Sequence, residues 1–200
     1  SLPAISGTEE FGWPATSVTI EQCCRFPWSG GHHPWLDAFI ETSTHIIGIE
    51  SKRYEPFKSK NIGRFSDAYW RDVWGPNMPG YEQVRDDIAD NRATFAHLDA
   101  SQLVKHSLGV RTEAGRRAKR PVLVYLYTEP DIWPDGHVVD AETRQAHNAE
   151  IESFAELVGG NEVTFSTCTY TELLDQWARS DRPDLRYHGV AVKEAFFSAV

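Results

Sequence analysis

The chain lacks any apolar run of about 18 residues or more, and its first thirty residues hold no charged start leading into an apolar block. Neither a membrane span nor a secretion signal is expected. Ser1 rather than methionine opens the sequence, which leaves room for an N-terminal element ahead of it. Cysteine is scarce: Cys23, Cys24 and Cys168 are an odd set, too few for a disulfide framework, and Cys23 and Cys24 stand at no standard zinc spacing from His32 and His33. Reduced thiols in a cytoplasmic protein are the expectation. Basic residues are also in deficit, 20 Lys and Arg against 29 Asp and Glu for a net charge of −9. That balance speaks against a surface uniformly suited to phosphate.

Hydrophobic residues make up 40% of the 200 and aromatics 12%, enough for the core of one domain. The basic residues are also clustered. Lys52, Arg53, Lys58, Lys60, Arg64 and Arg71 face only Glu55 and Asp67, a local balance of +4, and Lys105, Arg111, Arg116, Arg117, Lys119 and Arg120 face only Glu113, a balance of +5. Between Asp131 and Asp175, Arg144 is the only Lys or Arg. Two basic segments on an acidic body are compatible with a groove that tracks phosphates and equally with solvated surface.

Periodicity and punctuation give an order of elements. Ser17 to Phe26 predicts a strand, and Trp35 to Glu41 and His45 to Arg53 predict two more around Thr42-Ser43-Thr44. Residues 54–95 are rich in breakers and aromatics and predict a long insertion with a helix over Tyr81 to Ala89; its Trp70, Trp74 and Tyr81 suit core packing better than stacking on bases. Asp99 is placed to cap a helix running to about Val110. Pro121 to Thr128 has the composition of a buried strand, Asp140 to Val158 predicts a helix stopped by Gly159-Gly160, and Val163 to Cys168 predicts a strand. Thr169 and Glu172 form a capping box for a helix through Ala178, and a last helix is predicted near Val190 to Phe197. The chain is thus expected to be one mixed α/β domain.

The chemistry concentrates in the central hairpin. If its turn is centred between Ser43 and Thr44, Glu41 faces Ile46, Phe39 faces Gly48, Asp37 faces Glu50 and Trp35 faces Lys52, all on one side of the sheet. Leu36, Ala38, Ile40, Ile47, Ile49 and Ser51 fill the other side and are nearly all apolar, so one face is expected in the core, which pins the register. Asp37 and Glu50 then oppose each other as like charges, destabilising unless a cation neutralises them. Two carboxylates from adjacent strands are oxygen ligands suited to Mg²⁺, Lys52 lies on the same face to hold water or offset phosphate charge, and Gly48 leaves room for a ligand.

Asp37, then Glu50-Ser51-Lys52, then the helix from Asp99 and the strand Pro121 to Thr128 resemble the PD-(D/E)XK nuclease superfamily over roughly residues 17 to 130. The resemblance implies a restriction-endonuclease-like α/β core with a central mixed β-sheet flanked by helices, and hydrolysis of phosphodiester bonds in DNA with Mg²⁺, for which Mn²⁺ would substitute. It makes Asp37, Glu50 and the Ser51 carbonyl the metal ligands and Lys52 the residue that positions water. Gln102 resembles the catalytic-helix glutamine of some members, and His106, four residues on, stands where those members often carry tyrosine. Pro34 lies three residues before Asp37 instead of adjoining it, and no N-terminal helix is evident to supply an extra glutamate, for which Glu9, Glu10 and Glu21 are candidates. Whether the chain works alone or as a homodimer stays open. The alternatives are an inactive module of the same fold that binds nucleic acid or protein, and a glycosidase with Glu41 and Glu50 as its carboxylates.

Overall fold

A computed structural model describes residues 2–58 and 63–196 of the chain. Five strands, β1 (Ser17–Cys23), β2 (Trp35–Glu41), β3 (His45–Lys52), β4 (Arg120–Tyr127) and β5 (Thr164–Thr169), form one mixed sheet in sequential order. The first three run antiparallel as a meander, and β4 and β5 then add in parallel to β3. Parallel addition needs a crossover, supplied between β3 and β4 by α2 (Ala100–Arg116) and between β4 and β5 by α3 (Ala141–Leu157).

The caps read from sequence start these helices. Asp99 accepts from the backbone N–H of Gln102, Asp140 from that of Thr143, and Thr169 and Glu172 close a reciprocal capping box on α4 (Tyr170–Ala178). Helix ends are less local. α2 runs six residues past Val110 because Val110 and Ala114 are buried in the core, and α5 (Pro183–Phe196) starts seven residues before Val190, packed on α4. Phe197 and Lys60 lie outside the described residues.

Apolar clusters cover both faces of the sheet. On one, Leu36, Phe39, Ile46, Leu123 and Tyr125 pack against Leu103, Val104 and Leu108 of α2 and Phe154 of α3. On the other, Ile40, Ile47, Ile49, Val122 and Val124 pack against Ile5, Phe11 and Leu173 of α4. The sheet therefore has no broad solvated face of the kind read from the hairpin pattern, and every residue of β3 from His45 to Glu50 is buried. A parallel pair with helices on both sides has this consequence.

Residues 54–58 and 63–95 contribute to the same core. Two short 3-10 turns, Glu55–Phe57 and Asp67–Trp70, precede α1 (Pro79–Ala89), which packs on α2 and α3. Trp74 and Tyr81 are buried, the Tyr81 hydroxyl donating to the Val163 carbonyl, while Trp70 lies at the surface with its indole N–H on Asp86. Residues 2–16 carry no helix. None of the described helices is long and apolar enough to cross a membrane.

Candidate metal centre at the fork of two strands

The β2–β3 register follows the turn as expected: Glu41 pairs with Ile46, Ile40 with Ile47, Phe39 with Gly48 and Ala38 with Ile49. There the ladder stops, so Asp37 and Glu50 are not a backbone pair. Asp37 instead turns its carboxylate into the fork, where Oδ2 accepts from the Ser51 backbone N–H at 2.6 Å. Across β1, Asp37 falls opposite Glu21, which has a left-handed φ of 51° and interrupts the β1–β2 pairs. This irregularity also re-aims β2. Leu36 joins Phe39 on the α2 side, against the simple alternation that put it opposite, and with Val110 it occupies the space over Gly48. A Cβ at Gly48 would stand 2.6 Å from Val110 Cγ2 and 2.7 Å from Leu36 Cδ1, so this glycine admits the helix rather than a ligand.

Glu50 and Lys52 point to the α2 side as a coupled pair. Lys52 Nζ lies 2.5 Å from Glu50 Oε1, with side chains only 15% and 3% exposed. His106 Nδ1 lies 2.9 Å from the other oxygen, Oε2, and is itself buried. The positions of Gly48 under Val110 and Glu50 beside His106 follow from matched repeats: four helical residues rise about 6 Å, and two strand residues span about 6.6 Å. One further step along both elements places Gln102 toward Lys52. Gln102 is half-buried there, and among the described residues no hydrogen bond joins its side chain to Glu50 or Lys52.

The charges shift one another. Burial works to raise the Glu50 pKa, but His106 and Lys52 outweigh it and hold the carboxyl below its ordinary value. Burial alone would lower Lys52, and the Glu50 carboxylate pushes it above its usual range instead. Asp37 is raised, chiefly by burial and further by the Glu50 charge, with the Ser51 N–H opposing. The backbone supplies another oxygen. The Lys52 carbonyl accepts from the Thr128 N–H, so Lys52 faces β4, and Ser51, one residue earlier, turns its N–H and C=O toward the β2 side. The Ser51 carbonyl thus shares the fork with Asp37, while its hydroxyl contacts the Tyr170 hydroxyl at 2.6 Å on the opposite face.

Aromatic residues wall the site. Tyr125 and Tyr127 pair with Glu50 and Lys52 across the parallel ladder, their rings are stacked at 5.4 Å, and Tyr125 bonds the buried His147 through its hydroxyl at 3.0 Å. Burial and then the nearby Glu50 charge push the Tyr125 hydroxyl up. Among the basic residues of this region, Arg53 lies over Tyr54 and Phe196, Lys58 over Trp133, and Lys105 beside the Arg64 carbonyl and the Phe65 ring. A cavity of about 390 Å³ lined by Arg64, Phe65, Ile88 and Thr94 lies against α1; none of Asp37, Glu50, Lys52 or Gln102 lines it.

Other candidates fall elsewhere. Residues 111–120 lie toward the opposite end of the sheet, where Arg120 pairs with His45, about 23 Å along β3 from Lys52. There Arg116 and Arg117 hold Glu113, Lys119 holds Glu41, and Arg111 holds Glu162. The two basic segments do not line one continuous groove. Glu41 pairs with Ile46, about 13 Å along β3 from Glu50, beyond the separation a glycosidase pair requires. Glu9 and Glu10 act on Cys168 and on His45 at the hairpin end, away from the fork. Cys24 and Cys168 are buried with thiols pushed up to about 12, and His33 Nδ1 accepts the Phe26 N–H.

Among the described residues, no three His, Cys, Asp or Glu side chains stand together as a ready-made metal cage. The donors at the fork are instead two carboxylates and one carbonyl. Their types fit a hard divalent cation, which would offset the Glu50 charge that adds to the desolvation raising Asp37. Comparison with family models, curated proteins and solved structures returns no match for this chain.

Proposed function

We propose that this chain is a metal-dependent nuclease of the PD-(D/E)XK, restriction-endonuclease-like class that hydrolyses phosphodiester bonds in DNA. The observation that carries the reading is the pairing of buried Glu50 with half-buried Lys52 on β3, set beside the Asp37 carboxylate where the two antiparallel strands part. Three antiparallel strands, a crossover helix and a parallel strand in that order further support it.

Asp37, Glu50 and the Ser51 carbonyl would hold Mg²⁺, or Mn²⁺ in its place. When bound, the ion supplies charge neutralisation at the phosphoryl group and acidifies water. Lys52 Nζ, held at Glu50 Oε1 and partly exposed, is placed to orient the attacking water or to offset charge on the phosphate. Asp37 is exposed at the rim, where a backbone phosphate would approach. Arg53, Lys58 and Lys105 flank that approach and can engage neighbouring phosphates.

In assays of plasmid, oligonucleotide and RNA cleavage with Mg²⁺ or Mn²⁺, Asp37→Ala and Lys52→Ala are each expected to reduce DNA cleavage by about a hundredfold or more. Circular dichroism controls for folding. Undiminished cleavage by folded Asp37→Ala protein overturns the assignment. A second reading, an inactive module of the same fold that binds nucleic acid or protein, is favoured by the engagement of both Glu50 oxygens, by Lys52 and by His106. It requires that calorimetric titration with Mg²⁺ and Mn²⁺ show no binding that depends on Asp37.

A further inference from the structure

The carboxyl ends of β3 and β4 are tied together beyond the sheet: the Thr128 N–H donates to the Lys52 carbonyl at 3.1 Å and its hydroxyl to the Arg53 carbonyl at 2.5 Å. Each strand leaves an aromatic ring there. Tyr54, which follows β3, stacks on Trp133, which follows β4, with ring centres 5.6 Å apart and planes 23° from parallel. Arg53 lies over the Tyr54 ring at 5.1 Å and Lys58 Nζ over the Trp133 ring at 5.7 Å. Trp133 sits in a short hairpin that its own backbone closes, with the Trp133 N–H on the His137 carbonyl, the Gly136 N–H on the Trp133 carbonyl and the Val139 N–H on the Asp131 carbonyl. Val139, 1% exposed, gives the hairpin a hold on the core apart from the stack. Buried tyrosine and tryptophan bond their polar tips, as Trp74 and Tyr81 do. Tyr54 and Trp133 are not buried, and among the described residues neither the Tyr54 hydroxyl nor the Trp133 indole N–H has a hydrogen-bond partner.

We propose that the Tyr54–Trp133 pair is a stacking platform for an unpaired base of single-stranded DNA, and that this chain therefore takes single strands in preference to intact duplex. That the strand is also cut rests on the nuclease reading. Tyr54 lies two residues beyond Lys52, within about 7 Å along the chain, so a base held there belongs to a nucleotide near the phosphate at Lys52. Base faces in a duplex are covered by their neighbours, whereas a single strand offers them to aromatic rings, whatever its sequence. Ile132 and Val138, bridged across the hairpin and 45% and 78% exposed, extend the apolar surface beside the rings. The nearby acids are engaged: Glu55 accepts the Arg53 and Tyr54 N–H groups, Asp131 pairs with Arg144, and Asp135 contacts His137. Lys58 makes no ion pair among the described residues, which leaves its ammonium for the phosphates of the strand.

Fluorescence anisotropy with labelled oligodeoxynucleotides in excess EDTA tests the platform apart from any cleavage. Wild-type protein is expected to bind a single strand about tenfold or more tightly than the duplex of the same sequence, and about tenfold or more tightly than an abasic strand of the same length. Trp133→Ala and Tyr54→Ala each weaken binding of the single strand about tenfold and leave duplex binding within about twofold, while Trp133→Phe, which keeps a ring, stays within about threefold of wild type. In Trp133→Ala protein the preference for bases over the abasic strand shrinks to about threefold or less, a loss of additivity that a merely structural role for Trp133 does not produce. Equal wild-type affinity for single strand and duplex, binding of neither, or an abasic penalty unchanged by Trp133→Ala overturns the platform. With Mg²⁺ or Mn²⁺ added, cleavage that depends on Asp37 but proceeds equally on both forms also overturns it and spares the nuclease reading. Base-dependent binding through Trp133 without cleavage that depends on Asp37 supports the platform and removes the nuclease reading.

Discussion

At the hairpin end of β3, Glu41 meets Lys119 Nζ at 2.6 Å and Arg117 at 3.9 Å, and Thr42 ties the turn to His45 and to the Phe11 carbonyl. The β2–β3 ladder is intact there, and the Glu41 side chain is 29% exposed. At the other end the same strands part, a carboxylate replaces a backbone partner, and Glu50 is 2% exposed between Lys52 and His106. Opposite charges meet at both ends, but solvent screens the first set and desolvation raises the stakes of the second. The Glu41 charge, 29% exposed, can be lost cheaply. At the fork, the loss of one partner strands the others inside the protein.

Substitutions along β3 sharpen this contrast. Glu50→Gln, which leaves half-buried Lys52 without its carboxylate, is expected to lower stability by about 3 kcal/mol in urea unfolding without added metal. Because the folded-state pKa of Glu50 is held below its ordinary 4.5, its contribution is complete above about pH 4.5 and drains as pH falls through the folded value. The acid limb of the stability profile should therefore flatten in the variant, and an unchanged limb would place the acid sensitivity elsewhere. Gly48→Ala is expected to cost about 1–3 kcal/mol in the same measurement, since its Cβ would press on Val110 and Leu36 in the zipped part of the sheet. A variant as stable as the parent would show that α2 can withdraw from β3. Glu41→Gln is expected to cost less than about 1 kcal/mol, and a loss matching that of Glu50→Gln would erase the distinction between the two ends.

The elements were legible where the signal is local. The caps at Asp99, Asp140 and Thr169, the turn centred between Ser43 and Thr44, and the apolar run of β4 each depend on neighbours a few residues away. The turn alone set four cross-strand pairs, because one face of a hairpin cannot slip without turning its apolar residues outward. The length of α2 was less legible, since Val110 to Arg116 continue a helix that only packing against the sheet rewards. Gly48 was misread for the same reason: nothing near it in sequence announces that Val110 and Leu36 close over it.

By itself, the sequence determined the register from Glu41 and Ile46 to Ala38 and Ile49, which sets Asp37 and the Glu50-Ser51-Lys52 segment on neighbouring strands, because turn position is a property of consecutive residues. The tertiary structure alone decided what surrounds them. The β2–β3 ladder ends at Ala38 and Ile49 while β3 stays paired with β4 as far as Lys52, Asp37 bonds the backbone left free there, and α2 brings His106 onto Glu50 from more than fifty residues away. Those contacts join elements whose relative placement comes from burying two faces of one sheet, a condition that no local pattern records.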